Sequence, residues 1–541
     1  QSHLDLAWLW PKAETERKSG RTLATQMALM DEYPNYRFFM TQPPLFEMIK
    51  EHYPSLHDRI LGKVESGQIM PEGGMWVESD TNLPSGESLV RQLLYGKRYF
   101  RETFGIDSKL VWLPDCFGFS AALPQIMAGC GIRYFSTQKL LRFYNDGDPF
   151  PFNIFMWEGI DGTQILSHIH KKNNSHIDPE MLIERWENDR NQEEDISTFI
   201  FPFGYGDGGG GPTRYHLEYV NRLEDLEGVP RTKMSHPNDF FQDIEERGLP
   251  RQTYVGELYF QAHRGTYTSQ AKTKKGNRKS EFALREAEFW LTVSQKLAND
   301  KYPYVKLEGL WKKVLFNQFH DVLPGTSITR VHREAEEDYA TVISQAGDLT
   351  NRAVACLLNT EDQVSVFNSL SWTREELIAL PEGAMGAKTP DGELLPVQII
   401  NDQPYTKVKV PACGLVSLQL TGEAKDTRDR VLAEKHLLEN DYLRVSFNDH
   451  GQITSIFDKE SGLELTKGLC NEMKMYKDVT TAYDAWDLDS MYEDVPVALD
   501  HKASIEVMYE GCLVAGLRVR RRLNHSEMTQ EITLRSESRR V

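Results

Sequence analysis

His3 and Asp5 stand two residues apart. In an extended segment, positions i and i+2 point the same way, so one imidazole and one carboxylate can grip a single cation. Nitrogen plus oxygen donors suit zinc. A surface histidine beside a capping aspartate would show the same spacing, so the pair alone decides nothing. The adjoining Trp8-Leu9-Trp10-Pro11 adds indoles fit to stack on a sugar ring.

Three further segments carry chemistry-bearing residues. Asp115 follows the strand-like Val111-Trp112-Leu113 and Pro114. Its carboxylate there is a ligand, base or nucleophile, or else the N-cap of a following helix. Its neighbour Cys116 has no local histidine to activate it. Asp207 precedes four glycines, Gly208 to Gly211, and then Pro212 and Thr213. The run resembles a phosphate cradle, but the Lys-Ser/Thr pair that completes a P-loop is missing. Asp207 is then either an acid at a strand end, with glycines admitting a substrate closely, or a turn aspartate before glycine. His320 and Asp321 follow a helical pattern that Leu323-Pro324-Gly325 stops. His320 reads as a ligand on a rigid mount with Asp321 orienting it, or as a histidine favoured at a helix C-terminus. His168-x-His170, with His176 nearby, is a rival metal cluster; an alternating pair in a polar strand reads more simply as solvent-facing.

The elements that must position these residues fall into three sections. Residues 1–250 alternate strand-like and helix-like patterns in the α/β manner, with strands expected at 37–41, 109–113 and 198–201. Such sheets place chemistry at the carboxyl ends of their strands. Residues 251–356 read as a three-helix bundle. Leu307, Leu310, Trp311, Val314 and Leu315 form one apolar stripe, Ala335, Tyr339, Val342, Ile343 and Ala346 a second, and Ala283, Ala287, Trp290 and Leu297 a third. All of them are expected in the core. Residues 357–541 alternate with period two at 364–367, 407–410 and 442–445, separated by turn signals, which predicts an antiparallel β domain. A last strand pattern at 530–534 comes so near the end that this domain is read as incomplete.

The chain has 541 residues and a formal net charge of -18. That balance argues against nucleic acid or an anionic membrane as partner and suits a neutral sugar. Six scattered cysteines without a C-x-x-C pair read as free thiols in a reducing, cytoplasmic compartment. No apolar run is long enough for a transmembrane helix. The start at Gln-Ser-His, without Met, is read as that of a fragment, which makes the lack of a signal peptide uninformative.

Together, 2–11, 112–118, 206–213 and 317–326 resemble glycoside hydrolase family 38, the class II α-mannosidases, and within it the cytosolic, vacuolar and bacterial branch. Supporting stretches are 72–78, 263–268 and Trp486-Asp487. The resemblance implies an irregular, barrel-like α/β catalytic domain with seven strands, a three-helix bundle and an antiparallel β-sandwich. It implies one zinc held by His3, Asp5, Asp115 and His320, with Asp115 also the nucleophile. By the same resemblance Asp207 is the acid/base, and Trp8, Phe117, Arg264, Tyr267 and Asp321 contact the sugar. The implied partner is a mannose-containing oligosaccharide hydrolysed with retention, with homo-oligomerisation left open. A retaining glycosidase pairs two carboxyls about 5–5.5 Å apart. Two other readings stay open: a zinc-dependent carbohydrate deacetylase, in which the metal generates hydroxide, and a non-catalytic mannose-binding protein.

Overall fold

Short runs of β-branched and aromatic residues closed by Pro, Gly or Asp form the strands, and apolar stripes at helical spacing form the helices. The computed structural model describes residues 1–141, 150–171, 176–188, 196–358, 363–427 and 430–541. They divide into two units. The first gathers Gln1–Glu288, Tyr302–Thr350 and Thr480–Leu488; the second gathers Phe289–Lys301, Asn351–Val479 and Asp489–Val541.

The first unit is built on seven strands: β1 (Phe38–Met40), β2 (Ile69–Pro71), β3 (Leu110–Trp112), β4 (Tyr134–Thr137), β5 (Ile154–Glu158), β6 (Gln164–Ile169) and β7 (Thr253–Val255). β1 and β2 pair in parallel, and a parallel bridge between Gly73 and Val111 leads on to a sheet of order β3-β4-β6-β5-β7. Within that sheet only β5 and β6 run antiparallel. The pleat sorts side chains by face. Leu110 and Trp112 pack with Phe39, Tyr134 and Phe241 on one side. Val111 and Leu113 pack with Phe117, Phe119 and Phe135 on the other.

Helices α1 (Lys12–Glu32), α2 (Pro43–His52), α3 (Pro54–Glu65) and α4 (Gly86–Phe104) fill the connections of the first half. Ser85 caps α4 by accepting the Ser88 N–H, and Gly105 ends it in the left-handed region. The strand expected at 198–201 does not form. Its aromatic residues are only half-buried and make ring contacts, Phe199 with Trp186 and Phe201, rather than a ladder. Pro202 also lacks the N–H that continued pairing needs.

The three helices expected next are Ala271–Ala298, Tyr304–Phe316 and Thr329–Ala355. The stripe from Leu307 to Leu315 is buried, as are Ala335, Tyr339, Val342 and Ala346. Two positions expected in the core face solvent instead. Ile343 lies one step off its stripe, and Leu297 sits in the last turn of its helix. In the second unit the β patterns become the strands Gln363–Asn368, Gln403–Val410, Leu443–Phe447 and Ser526–Arg535. The last pairs along its whole length with Val514–Leu523, antiparallel, over a core that includes Val445, Leu517, Val519 and Leu534. The architecture is thus an α/β portion, a helical portion and a β-sandwich portion.

Candidate metal centre and active site

The strands of the first unit deliver polar residues to one rim. Thr41 and Gln42 follow β1, Glu72 follows β2, Asp115 follows β3 beyond Pro114, and Gln138 and Lys139 follow β4. The N-terminal segment is pinned by a distant loop. Leu4 forms an antiparallel bridge with Gly208, and the Asp5 N–H donates to the Asp207 carbonyl at 3.0 Å. The glycines of that loop lie against α1, where Thr22 Oγ1 donates to the Gly209 carbonyl at 2.5 Å and Gln26 Nε2 to those of Gly210 and Pro212. What approaches these glycines so closely is α1. Asp207 has φ +57, the left-handed conformation of a turn residue before glycine.

Four sequence-expected ligands converge with Asp321. His3 Nε2 is 2.9 Å from Asp5 Oδ1, and His320 Nε2 lies 3.5 Å from that oxygen, 3.9 Å from Asp115 Oδ2 and 3.8 Å from Asp321 Oδ2. The two imidazoles stack at 5.3 Å. His3, Asp5, His320 and Asp321 are buried, Asp115 half-buried. His3–Asp5–His320 and Asp115–His320–Asp321 are the groups of three suited to a metal ion among the described residues. His3 Nε2, His320 Nε2 and Asp5 Oδ1 are buried and lack a partner in hydrogen-bond geometry. Buried polar atoms left so are costly, and a cation among them would satisfy all three. The residues fit a metal of zinc's preference, nitrogen and carboxylate oxygen.

The electrostatics follow from burial and crowding. Burial opposes charging of His3, yet the Glu78 and Asp5 carboxylates hold its imidazole well above the usual range. Burial likewise raises Asp321, to about 6. Asp115 is held low despite burial because Lys139 Nζ lies 3.1 Å from Oδ2. Gln138 Nε2 donates to Asp115 Oδ1 at 3.4 Å, and the Lys139 ammonium sits 4.4 Å above the Phe117 ring. Burial pushes the Cys116 thiol up to about 11, the opposite of what a nucleophile needs.

Two alternatives for these residues are removed. Asp115 caps no helix, since the next one begins at Leu123. His320 does not end a helix either: Tyr304–Phe316 stops four residues earlier, and His320 is carried by the turns that follow. The rival pair His168 and His170 is buried, not solvent-facing. His170 stacks on Trp112 at 4.7 Å and His168 packs on Phe240 at 5.0 Å.

The residues expected to touch a sugar are placed as follows. Trp8 is half-buried, edge-on to Trp10 and to Trp486 at 6.3 Å. Phe117 is buried, edge-on to His320 and His263. Asp321 accepts the Thr326 hydroxyl. Arg264 is exposed and Tyr267 half-buried on the 3-10 turn Arg264–Tyr267. Asp487, from the short stretch Thr480–Leu488, accepts the His263 N–H and lies 3.2 Å from His263 Nδ1. Sequence reading missed Lys139 and gave Glu78 no role. The signal for Lys139 was its place just past β4; for Glu78 it was a motif without a reason.

The comparisons with known proteins agree on one family. The model of the glycosyl hydrolases family 38 N-terminal domain matches residues 1–267, that of the alpha mannosidase middle domain 261–357, and that of the family 38 C-terminal domain 438–541. The chain belongs to glycosyl hydrolase family 38. It is 36% identical to alpha-mannosidase 2C1 of Homo sapiens over 98% of this chain and 51% of that protein. It is 38% identical to the alpha-mannosidase of Saccharomyces cerevisiae over 70% of this chain and 36% of that protein. The chain thus spans about half the length of the curated relatives it matches. A crystal structure of an alpha-mannosidase from Enterococcus faecalis V583 shares the fold at a TM-score of 0.81, with 18% identity, covering 99% of this chain and 72% of that one. Among the described residues no helix is long and apolar enough to cross a membrane.

Proposed function

We propose that this family 38 chain carries the active site of a zinc-dependent, retaining α-mannosidase acting on terminal α-linked mannose of oligosaccharides. The observation that supports this most is the meeting of His3, Asp5, Asp115, His320 and Asp321, drawn from three distant stretches, around the buried atoms His3 Nε2, Asp5 Oδ1 and His320 Nε2, which have no partner in hydrogen-bond geometry. The family relatives named alpha-mannosidases point to the substrate class.

In the proposed cycle the Asp115 carboxylate attacks the anomeric carbon as the glycosidic bond breaks. Asp207 protonates the leaving oxygen and then takes the proton from the water that releases the sugar. Lys139 and Gln138 hold Asp115 in its ionised, attacking form. In this reading Asp321 accepts hydrogens from sugar hydroxyls and Trp8 stacks on the ring. His3, Asp5, Asp115 and His320 would hold the zinc, which would supply a positive charge to orient neighbouring sugar hydroxyls. The three-part division at 1–250, 251–356 and 357–541 remains our proposed domain organisation. A reducing, cytoplasmic setting is proposed on the six free cysteines.

The deciding experiment follows an aryl α-mannoside by proton NMR. α-Mannose is expected as first product, and a slow fluorinated mannoside should leave a glycosyl adduct on Asp115. Initial β-mannose would overturn the nucleophile, and acetate release from an acetylated sugar without hydrolysis would favour a deacetylase. Sugar binding without turnover would leave only a mannose-binding protein.

A further inference from the structure

Glu78 is buried, and its carboxylate faces the metal centre from behind. Oε2 lies 2.9 Å from His3 Nδ1, and Oε1 accepts the Thr41 hydroxyl at 2.6 Å. The same residue reaches the second histidine through its main chain. The Glu78 carbonyl lies 2.9 Å from His320 Nδ1 and also accepts the His320 N–H at 3.2 Å. A carbonyl oxygen only accepts, so Nδ1 of His320 carries hydrogen and Nε2 is the atom left to bind a cation. A carboxylate at His3 Nδ1 has the same effect there.

We propose that Glu78 is the positioning residue for both histidines of this centre, by its side chain for His3 and by its backbone for His320. The inference rests on the metal reading of the site.

The surroundings of Glu78 are built to hold it still. Its N–H donates to Gln42 Oε1 at 3.1 Å, and Gln42 Nε2 donates to the Leu4 carbonyl at 3.0 Å, next to His3. Gln92 of α4 accepts the Val77 N–H and donates to the Leu315 carbonyl, just before the turns that carry His320. Ser79 bridges Phe319, and the Asp80 N–H donates to the Gln318 carbonyl at 2.9 Å. One strand-like segment therefore ties the N-terminal motif, the β1 rim and the His320 turn together. Oε2 and His3 Nδ1 lie 2.9 Å apart and neither has a partner in hydrogen-bond geometry, so a carboxylate buried here for packing alone would be costly. Orienting a ligand imidazole gives that oxygen a purpose.

The test is zinc affinity of the whole chain, measured by competition with a chromophoric chelator. Glu78→Gln is expected to weaken zinc binding about 10- to 100-fold, the usual cost of losing such a partner. Nitrogen-15 NMR of the zinc-loaded protein should show the His3 Nδ1–H resonance shifted and that of His320 unchanged, because the backbone carbonyl remains. A merely structural role would move both or neither. If Glu78→Gln does not fold, Thr41→Val loosens the same carboxylate and should lower affinity by a smaller factor while sparing His320. Wild-type affinity in the variant that is measured overturns the positioning role and leaves the metal reading intact. Absence of stoichiometric zinc in the wild-type chain overturns both.

Discussion

Gly209→Ala tests how the N-terminal motif is held. Gly209 has φ +80, and a methyl group there would lie 2.5 Å from Thr22 Oγ1 of α1 and 3.1 Å from the Leu4 side chain. Two costs add. An alanine in the left-handed region costs about 1–2 kcal/mol, and forcing a carbon into packed surroundings costs about 1–3 kcal/mol. The expected loss is therefore about 2–5 kcal/mol. Gly228→Ala separates the two, because Gly228 has φ +82 and nothing within 4 Å of the added carbon. It should lose only the first, about 1–2 kcal/mol. Urea unfolding of the metal-free variants at equal slope reads the difference as a shift in midpoint. Displacing Gly209 also pushes on Leu4, the residue between His3 and Asp5, so zinc affinity should fall for Gly209→Ala and not for Gly228→Ala. Equal destabilisation of the two variants would refute the close-approach reading. A destabilised Gly209→Ala with wild-type zinc affinity would show that the loop does not hold the ligand pair.

Two further outcomes follow from buried imidazoles. Burial lowers His168 to about 3, against about 6.5 in an unfolded chain. Below pH 6.5 the unfolded state then binds a proton that the folded state refuses, so stability falls as pH drops from about 6.5 towards 3. At pH 5 the difference is about 2 kcal/mol; His168→Asn should flatten the urea midpoint between pH 7 and 5 by that amount, and an unchanged slope would count against it. At the metal centre the sign is opposite. Burial opposes charging of His3 and His320, but Glu78 and Asp5 around the first and Asp5 beside the second keep both imidazoles protonated well above their usual range. Zinc must displace those protons, so affinity should rise with pH, and calorimetry near pH 7 should show heats that vary with the buffer's ionisation enthalpy. Buffer-independent heats would mean that the imidazoles were neutral already.

What could be read from the sequence was whatever repeats locally or sits at the end of something that does. The stripe from Leu307 to Leu315 and the alternation at 407–410 each predict an element because burial enforces their period. Asp115 was legible because a strand of apolar residues has to stop at a polar rim. Residues 198–201 fail for the converse reason: aromatic letters report that a segment packs against something, here half-buried, not that a neighbouring strand is there to pair with it. For His168 and His170 residue type is a poor sign of exposure: His168 pairs with Ser136 in the sheet and packs on Phe240, and His170, just past the strand, donates its N–H to the Thr137 carbonyl and stacks on Trp112.

The harder losses are those that depend on contact across the chain. Lys139 acts on a carboxylate 24 positions earlier in the chain's order, past an entire helix, and no local pattern marks a lysine as the partner of Asp115. Glu78 meets His320 across 242 positions. Its main-chain carbonyl makes that contact, a group every residue has and no sequence letter can single out. The His3-x-Asp5 pair is the clearest case. Its spacing states that one cation could be gripped, but an extended segment outside any helix or named strand does not fix its own geometry. It becomes a rigid mount only because Gly208 pairs with Leu4, α1 packs on the glycines behind it, and Glu78 stands behind the His3 ring. Ligand identity is therefore local information, while ligand geometry belongs to the fold.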